Sequence, residues 1–401
     1  MRITGIETLL VSLPTRRPHR WASKMKAPIG VHVILKTHTD TGLVGYGEAP
    51  VTATWGGAHM MYYGETPATV THVIKSYLFP AVEGQDPRDL ELLHARMNKV
   101  IKGHPYAKAT VDMSLFDLAG KALGVPAYVL LGGCFRRRVP VTHSLGIMET
   151  DKTVEEARAA VAEGIKTLKL KCGVDPNHDL EVMREVRKAV GDRVQIRVDA
   201  NEGWPGVRES IRIIREMEAY GLFLAEQPVA GYEELARVAR AVDTPVMADE
   251  SAWTPQDVLR LASIGGADLI SLYVTKPGGL LPARKVGVVA EAVGIACDIG
   301  GSIEMGIGNA ANLHLAASVP PASLPSVLPV SAPAESAPTA IAGRYYLDDV
   351  VKQPFHYEDG CLGIPEGPGL GVEVDEAKLE RYRLKPGESG FAQEDSDSRS
   401  G

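Results

Sequence analysis

Six ionisable residues recur along this chain at a nearly constant spacing: Lys171, Asp199, Glu226, Asp249, Lys276 and Glu304 stand 28, 27, 23, 27 and 28 residues apart. Most of them close a short apolar run, as in "TLKLK", "QIRVD", "LFLAE" and "PVMAD". One strand-plus-helix unit has roughly that length, so each residue takes an equivalent place on its own strand. Three carboxylates on adjacent strands repel one another severely in a low-dielectric pocket unless a cation compensates them. Hard oxygen ligands suit Mg²⁺, which takes a few carboxylates and keeps positions for water and substrate. Taken singly, Asp199, Glu226 or Asp249 could be a helix N-cap or a salt-bridge partner. On consecutive strands they point together to a metal. Glu250 is turned off the face of Asp249 by the two-residue period of a strand.

The lysines add acid–base chemistry. Lys169 and Lys171 share one face of "TLKLKCG", and Lys171 and Lys276 lie on the strands that flank the acids, so they approach from opposite sides. An ammonium near a divalent cation and near a second ammonium, here Lys169, gives up its proton more readily and can then serve as a base. A plain ion-pair network explains Lys169 well but explains Lys276, on the far side, less well. In "DIGGSIEMGIGN", Gly300 and Gly301 free the backbone for close approach, and the N–H groups around Ser302 can hold a carboxylate. Ser302 and Glu304 are therefore candidate substrate contacts. Glu304 could equally be polar support.

These residues require a particular scaffold. From about Val139 a short apolar strand, a polar break and an amphipathic helix repeat: "VPVTHSLGI", "KTLKLKCG", "VQIRVDAN", "LFLAEQP", "PVMADES", "LISLYVTK" and "GIACDIGG" read as strands. Alternating units imply a parallel sheet with helices outside it. Seven in a row without a switch in order favour closure into a barrel, with chemistry at the C-terminal strand ends. The stretch "LPSVLPVS", Leu324–Ser331, reads as a last strand despite two prolines. The expected fold is α/β, a modified (β/α)7β TIM barrel over 131–345 with an α+β capping domain over 1–130. Residues 346–386 return to the capping domain, and 387–401 form a disordered tail. Within the first part, "GVHVILKTHTDTGLVGYGEAP" reads as two strands joined by a turn, and "DLELLHARMNKVI" and "AKATVDMSLFDLAGKALG" as helices, the second closed by Gly124.

Composition excludes several classes of partner. The 401 residues carry a net charge of −7, with no basic run beyond "FRRRV", so neither nucleic acid nor an anionic membrane is expected as partner. No apolar run is long enough to span a bilayer, and the start alternates like a strand instead of resembling a signal peptide. Four scattered cysteines without a C-x-x-C pair suit reduced thiols in the cytoplasm.

In order, "KLK", "DAN", "EQP", "ADES" and "TKPGG" resemble the enolase superfamily, specifically its muconate lactonizing enzyme subgroup within the mandelate racemase/muconate lactonizing enzyme family. "PYAKATVDMSLFDLAGKALGVPAYVLLGG" is similar to the end of that family's capping domain, and "PEGPGLGVEVD" to its C-terminal return. Lysine at 276 separates the subgroup from mandelate racemase relatives, which use histidine there. The resemblance implies Asp199, Glu226 and Asp249 as Mg²⁺ ligands, with Mn²⁺ as a substitute. It implies Lys171 and Lys276 as paired acid/base residues, with Lys169 tuning the first. Capping-domain loops cover the barrel mouth in this family, which makes Arg20, Trp21, Lys24 and Trp55 candidate substrate contacts. A homo-oligomer is expected by the same analogy.

The implied reaction takes a proton from the carbon alpha to a small carboxylate through an enolate that the metal stabilises. Racemisation or epimerisation, cycloisomerisation, and dehydration of a hydroxy acid or proline derivative share that intermediate. Muconate lactonizers carry an acid on the last barrel strand and dipeptide epimerases an Asp-x-Asp pair nearby; "LPSVLPVS" has neither. Two readings from other classes are a Schiff-base lysine aldolase, which needs no metal, and a non-catalytic acid-binding protein. The intact set of acids and lysines argues against the second.

Overall fold

The computed structural model describes residues 1–22, 30–51, 55, 64–336 and 339–385. Lys24 and the 387–401 tail lie outside the described residues.

Strands β1 (Ile3–Ser12), β2 (Val31–Thr39) and β3 (Val44–Pro50) form an antiparallel sheet in that order. Helix Pro105–Leu123 packs across it and is buried along most of its length, including polar residues such as Asp112 and Asp117. The contact is unusually close: a Cβ on Gly45 would lie 2.3 Å from the Ser114 carbonyl, and one on Gly47 would lie 1.9 Å from that of Thr110. Glycine in β3 is the condition for this docking. One helical stretch had no reading in the sequence. Pro67–Val73 starts with a reciprocal Thr66/Thr69 cap, passes through a π-turn at Ile74–Leu78 and ends at Phe79–Val82. Pro80 has no N–H to give to the preceding turn, which accounts for the wider turn before it.

After β4 (Arg138–Pro140), seven strands run parallel in sequence order: β5 (Thr142–Leu145), β6 (Thr167–Lys171), β7 (Gln195–Asp199), β8 (Leu222–Glu226), β9 (Val246–Ala248), β10 (Leu269–Leu272) and β11 (Ala296–Ile299). The order never reverses, as a barrel requires. The expected last strand closes the ring but is shorter than Leu324–Ser331. Leu324 and Val327 donate to the Cys297 and Ile299 carbonyls of β11, while Ser326 exchanges hydrogen bonds with Pro140 and Thr142. Pro325 and Pro329 lack the donors a longer ladder needs. The fold is thus an α/β modified TIM barrel with an N-terminal antiparallel sheet. The C-terminal segment makes a detour that the sequence reading lacked: β12 (Tyr357–Glu358) pairs with β13 (Cys361–Gly363), which in turn pairs with β4. It then reaches the capping sheet, where Ser12 donates to the Tyr382 carbonyl and Leu384 to that of Leu10.

Two buried carboxylates tie the capping elements to the barrel. Asp112 accepts from the Leu280 N–H at 2.5 Å, at the start of helix Leu280–Val293, and holds His94 Nε2 on its other oxygen. Glu48 accepts from the Met305 and Gly308 N–H groups, both at 2.7 Å, at the start of helix Gly306–Ser318, and lies 2.8 Å from His32 Nδ1. Each satisfies otherwise orphaned helix N–H groups with a negative charge at the favoured end. These two helices follow the loops that carry Lys276 and Ser302. Glu48→Ala, which strands two buried donors and a histidine, should destabilise the chain by about 2–5 kcal/mol. Urea unfolding checks this through the midpoint at unchanged slope; a loss under about 1 kcal/mol would show that the helix start does not depend on Glu48.

Candidate active site

Strand register sets the site. Lys171 on β6 is the lateral partner of Asp199 on β7, and Asp199 that of Glu226 on β8. Glu226 pairs with Met247 on β9, so Asp249, two residues on, rises on the same inward face. One carboxylate oxygen from each of Asp199, Glu226 and Asp249 lies within 4.8 Å of the others, and all three residues are buried.

The surrounding ammonium groups show how much positive charge this group demands. Lys169 Nζ stands 2.8 Å from Asp199 Oδ2 and 2.7 Å from Glu226 Oε1. Lys171 Nζ donates to Asp199 Oδ2 at 2.6 Å and to Asn201 Oδ1 at 2.9 Å. On the other flank, Lys276 Nζ donates to Asp249 Oδ1 at 2.6 Å and to the Asp249 and Ser271 carbonyls. Lys171 and Lys276 thus hold different acids, with Glu226 on the strand between them. Burial alone would lower the Lys169 pKa, but the Asp199 and Glu226 carboxylates outweigh it and hold the ammonium above its ordinary range. Burial would raise Asp199; Lys169 and Lys171 reverse that and hold it well below the usual carboxylate range. A buried three-oxygen group of hard ligands fits Mg²⁺.

Amides after the acids lock the geometry. Asn201 bonds Lys171 through Oδ1 and gives its Nδ2 to Glu250 at 2.9 Å. Gln227 Oε1 accepts from the Asp249 and Ser251 N–H groups, which fixes the backbone of the third acid. Asn201 and Gln227 are non-glycine residues at positive φ, 43° and 36°, a strain that rims of functional sites often hold. Glu250 stands outside the three-oxygen group, as the strand period implies. Burial first, then Asp249 and Asp199, push its pKa well up.

The barrel matches the model described as "Enolase C-terminal domain-like" over residues 152–378, and the N-terminal part matches "Mandelate racemase / muconate lactonizing enzyme, N-terminal domain" over 5–132. Muconate cycloisomerase 1 of Rhodococcus opacus is 34% identical over 94% of this chain and 96% of its own. The chain belongs to the enolase superfamily, in its muconate lactonizing enzyme subgroup. The N-succinyl-L-Arg/Lys racemase of Bacillus cereus is 31% identical over 96% of this chain and 98% of that relative. Its crystal structure superposes with a TM-score of 0.86, at 29% identity over 96% and 99% of the two chains. A dipeptide epimerase from Enterococcus faecalis, complexed with Mg and the dipeptide L-Leu-L-Tyr, gives a TM-score of 0.81 at 29% identity, covering 93% and 100%. Racemase, epimerase and cycloisomerase are all isomerases, and this chain is an isomerase of the same superfamily. Its reaction class is metal-dependent abstraction and return of a proton alpha to a carboxylate.

In this superfamily member the cavity above the lysines is walled by Trp21, Trp55, Tyr273, Tyr345, Ser302 and also His19. Trp55 stacks on Tyr273 with ring centroids 5.6 Å apart, joining the capping side to the barrel. Arg20 is exposed and stands off the cavity wall; its backbone carbonyl takes the Ile147 N–H instead. Its neighbour His19 faces the cavity, and burial, then Arg17 and Lys171, hold that imidazole neutral by lowering its pKa well below 6.5. Sequence reasoning passed over His19, Asn201 and Gln227. The two amides had a signal, since each directly follows or nearly follows a strand-end acid in "DAN" and "EQP".

Ser302 Oγ lies 2.8 Å from Tyr106 Oη, while Glu304 sits behind the wall and accepts the Ser302 N–H at 3.0 Å. Burial, with the Glu48 charge adding to it, raises the Glu304 pKa from 4.5 to about 7. The folded chain therefore keeps this proton at pH values where the unfolded chain has lost it. The stability it contributes is complete below pH 4.5 and is lost as pH rises through about 7. Relative to Glu304→Gln, the wild-type chain should lose on the order of 2 kcal/mol between acid and mildly alkaline pH. Urea unfolding of both proteins across that range tests it, and parallel profiles would refute it.

Proposed function

We propose that this enzyme racemises or epimerises an N-substituted α-amino acid, with Lys171 and Lys276 acting on opposite faces of the α-carbon. The observation that carries the reading is the placement of two ammonium groups on separate acids, Asp199 and Asp249, at either end of the three-carboxylate group. A neutral lysine on one side takes the proton, and the protonated lysine on the other returns one, which inverts the centre. Lys169, shared between Asp199 and Glu226, keeps its charge and holds those two acids beside Lys171. Asp199, Glu226 and Asp249 would hold Mg²⁺, or Mn²⁺ in its place; when bound, the ion supplies Lewis acidity for the developing enolate, on the order of several kcal/mol. Trp21, Trp55, His19 and Ser302 enclose the substrate and exclude water. The racemase and dipeptide epimerase relatives support the N-substituted class by name. The lack of an acid in "LPSVLPVS" weighs against muconate.

A panel of N-acyl amino acids, dipeptides and muconates, incubated in D₂O with Mg²⁺ and read by mass spectrometry, should reveal α-deuteration. EDTA should abolish it, and Mg²⁺ or Mn²⁺ should restore it. Lys171→Ala and Lys276→Ala should each lose inversion by roughly 10³-fold or more, while each still exchanges one enantiomer. Exchange of both enantiomers in both variants would refute the roles, and borohydride trapping of a carbonyl substrate would point to aldolase chemistry instead. We further propose a cytoplasmic homo-oligomer; light scattering at a single-chain mass would count against assembly.

A further inference from the structure

One layer below Asp199 and Glu226 the barrel interior is ionic, where barrels of this class are filled by branched apolar side chains. Arg197 precedes Asp199 by two residues on β7 and so shares its inward face. It is fully buried, the bulkiest side chain among the described residues to be so. Its Nη2 lies 2.6 Å from Glu226 Oε2 and 2.7 Å from Asp298 Oδ2 on β11. Strands β8, β9 and β10 separate β7 from β11 in the sheet, so the guanidinium crosses the interior. Nη1 reaches the Pro325 carbonyl on the closing segment at 3.2 Å.

Such a pair is a poor stabiliser. Desolvating two ions offsets most of their attraction, and apolar replacements of similar volume often fold as well or better. Here Arg197 Nε and both Asp298 oxygens lack a well-aligned hydrogen-bond partner. What the pair does accomplish is to hold Glu226. Lys169 takes Oε1, the oxygen whose ammonium is shared with Asp199. Arg197 takes Oε2 from below.

We propose that Arg197, braced by Asp298, is the positioning residue of the metal site: by engaging Glu226 Oε2 it turns Oε1 toward the acid group in one orientation. Hydrogen bonds to ligating carboxylates act this way generally, and their loss typically weakens metal affinity about 10–100-fold. Asp298 neutralises Arg197, so the ligand keeps its own negative charge for the cation. This inference rests on the reading of Asp199, Glu226 and Asp249 as metal ligands.

The decisive variant is Arg197→Met with Asp298→Leu, which removes both charges at once and leaves net charge unchanged. Mn²⁺ binding by electron paramagnetic resonance and thermal unfolding in EDTA are measured side by side. The double variant should unfold at an equal or higher temperature in EDTA, yet bind Mn²⁺ about 10–100-fold more weakly. Arg197→Lys, which keeps the charge without the two-armed geometry, should weaken Mn²⁺ in the same direction. Wild-type affinity in the double variant overturns the proposal. If that variant does not fold, Asp298→Asn decides: weakened Mn²⁺ binding supports the brace and unchanged binding overturns it. A wild-type chain that binds no Mn²⁺ refutes the metal reading itself, a different failure from unchanged affinity among the variants.

Discussion

The mutual repulsion of Asp199, Glu226 and Asp249 is the constraint around which the molecule is organised. Three buried carboxylate oxygens within 4.8 Å of one another cannot persist without positive charge on every side. Lys169, Lys171, Lys276 and Arg197 meet that demand, each from a different direction. A charge-dense site of this kind also explains the strained strand ends. Asn201 and Gln227 accept unfavourable backbone angles because their amides are needed to hold Lys171 and the Asp249 backbone in place.

Chemistry and enclosure come from different parts of the chain. Lys169, Lys171, Asp199 and Glu226 stand on barrel strands, with Asp249 and Lys276 just past the ends of β9 and β10, while Trp21, Trp55 and His19 reach the cavity from the N-terminal part. Glu48 and Asp112 join the two by capping the helices after the last two strands. Both parts are therefore referenced to the same helix starts, and the cavity wall cannot drift far from the acids without stranding buried donors.

Much of this was legible before any coordinates. The strand-end acids and lysines stood out because each interrupts an apolar pattern at one cadence, and a parallel strand offers few reasons for such an interruption. Arg197 carries a local signal too. In "QIRVD" the alternation already sets it and Asp199 on one face. Asp298 had less signal, since its partner lies four strands away in the sheet and no local pattern reports contacts across a barrel. In the aperiodic loop that holds His19 and Arg20 no period says which side chain turns inward. Helix Pro67–Val82 escaped because its β-branched residues read poorly as helix, although Thr66-Pro67 carried a start signal.

The abbreviated closing segment has a mechanical corollary. Between β11 and β5 the ring is held by a few hydrogen bonds around Leu324–Val327 instead of a full strand. Arg197 ties its guanidinium to Pro325 on that segment and to Glu226 at once. One side chain thereby fastens the gap in the cylinder and an acid at its rim to the same point.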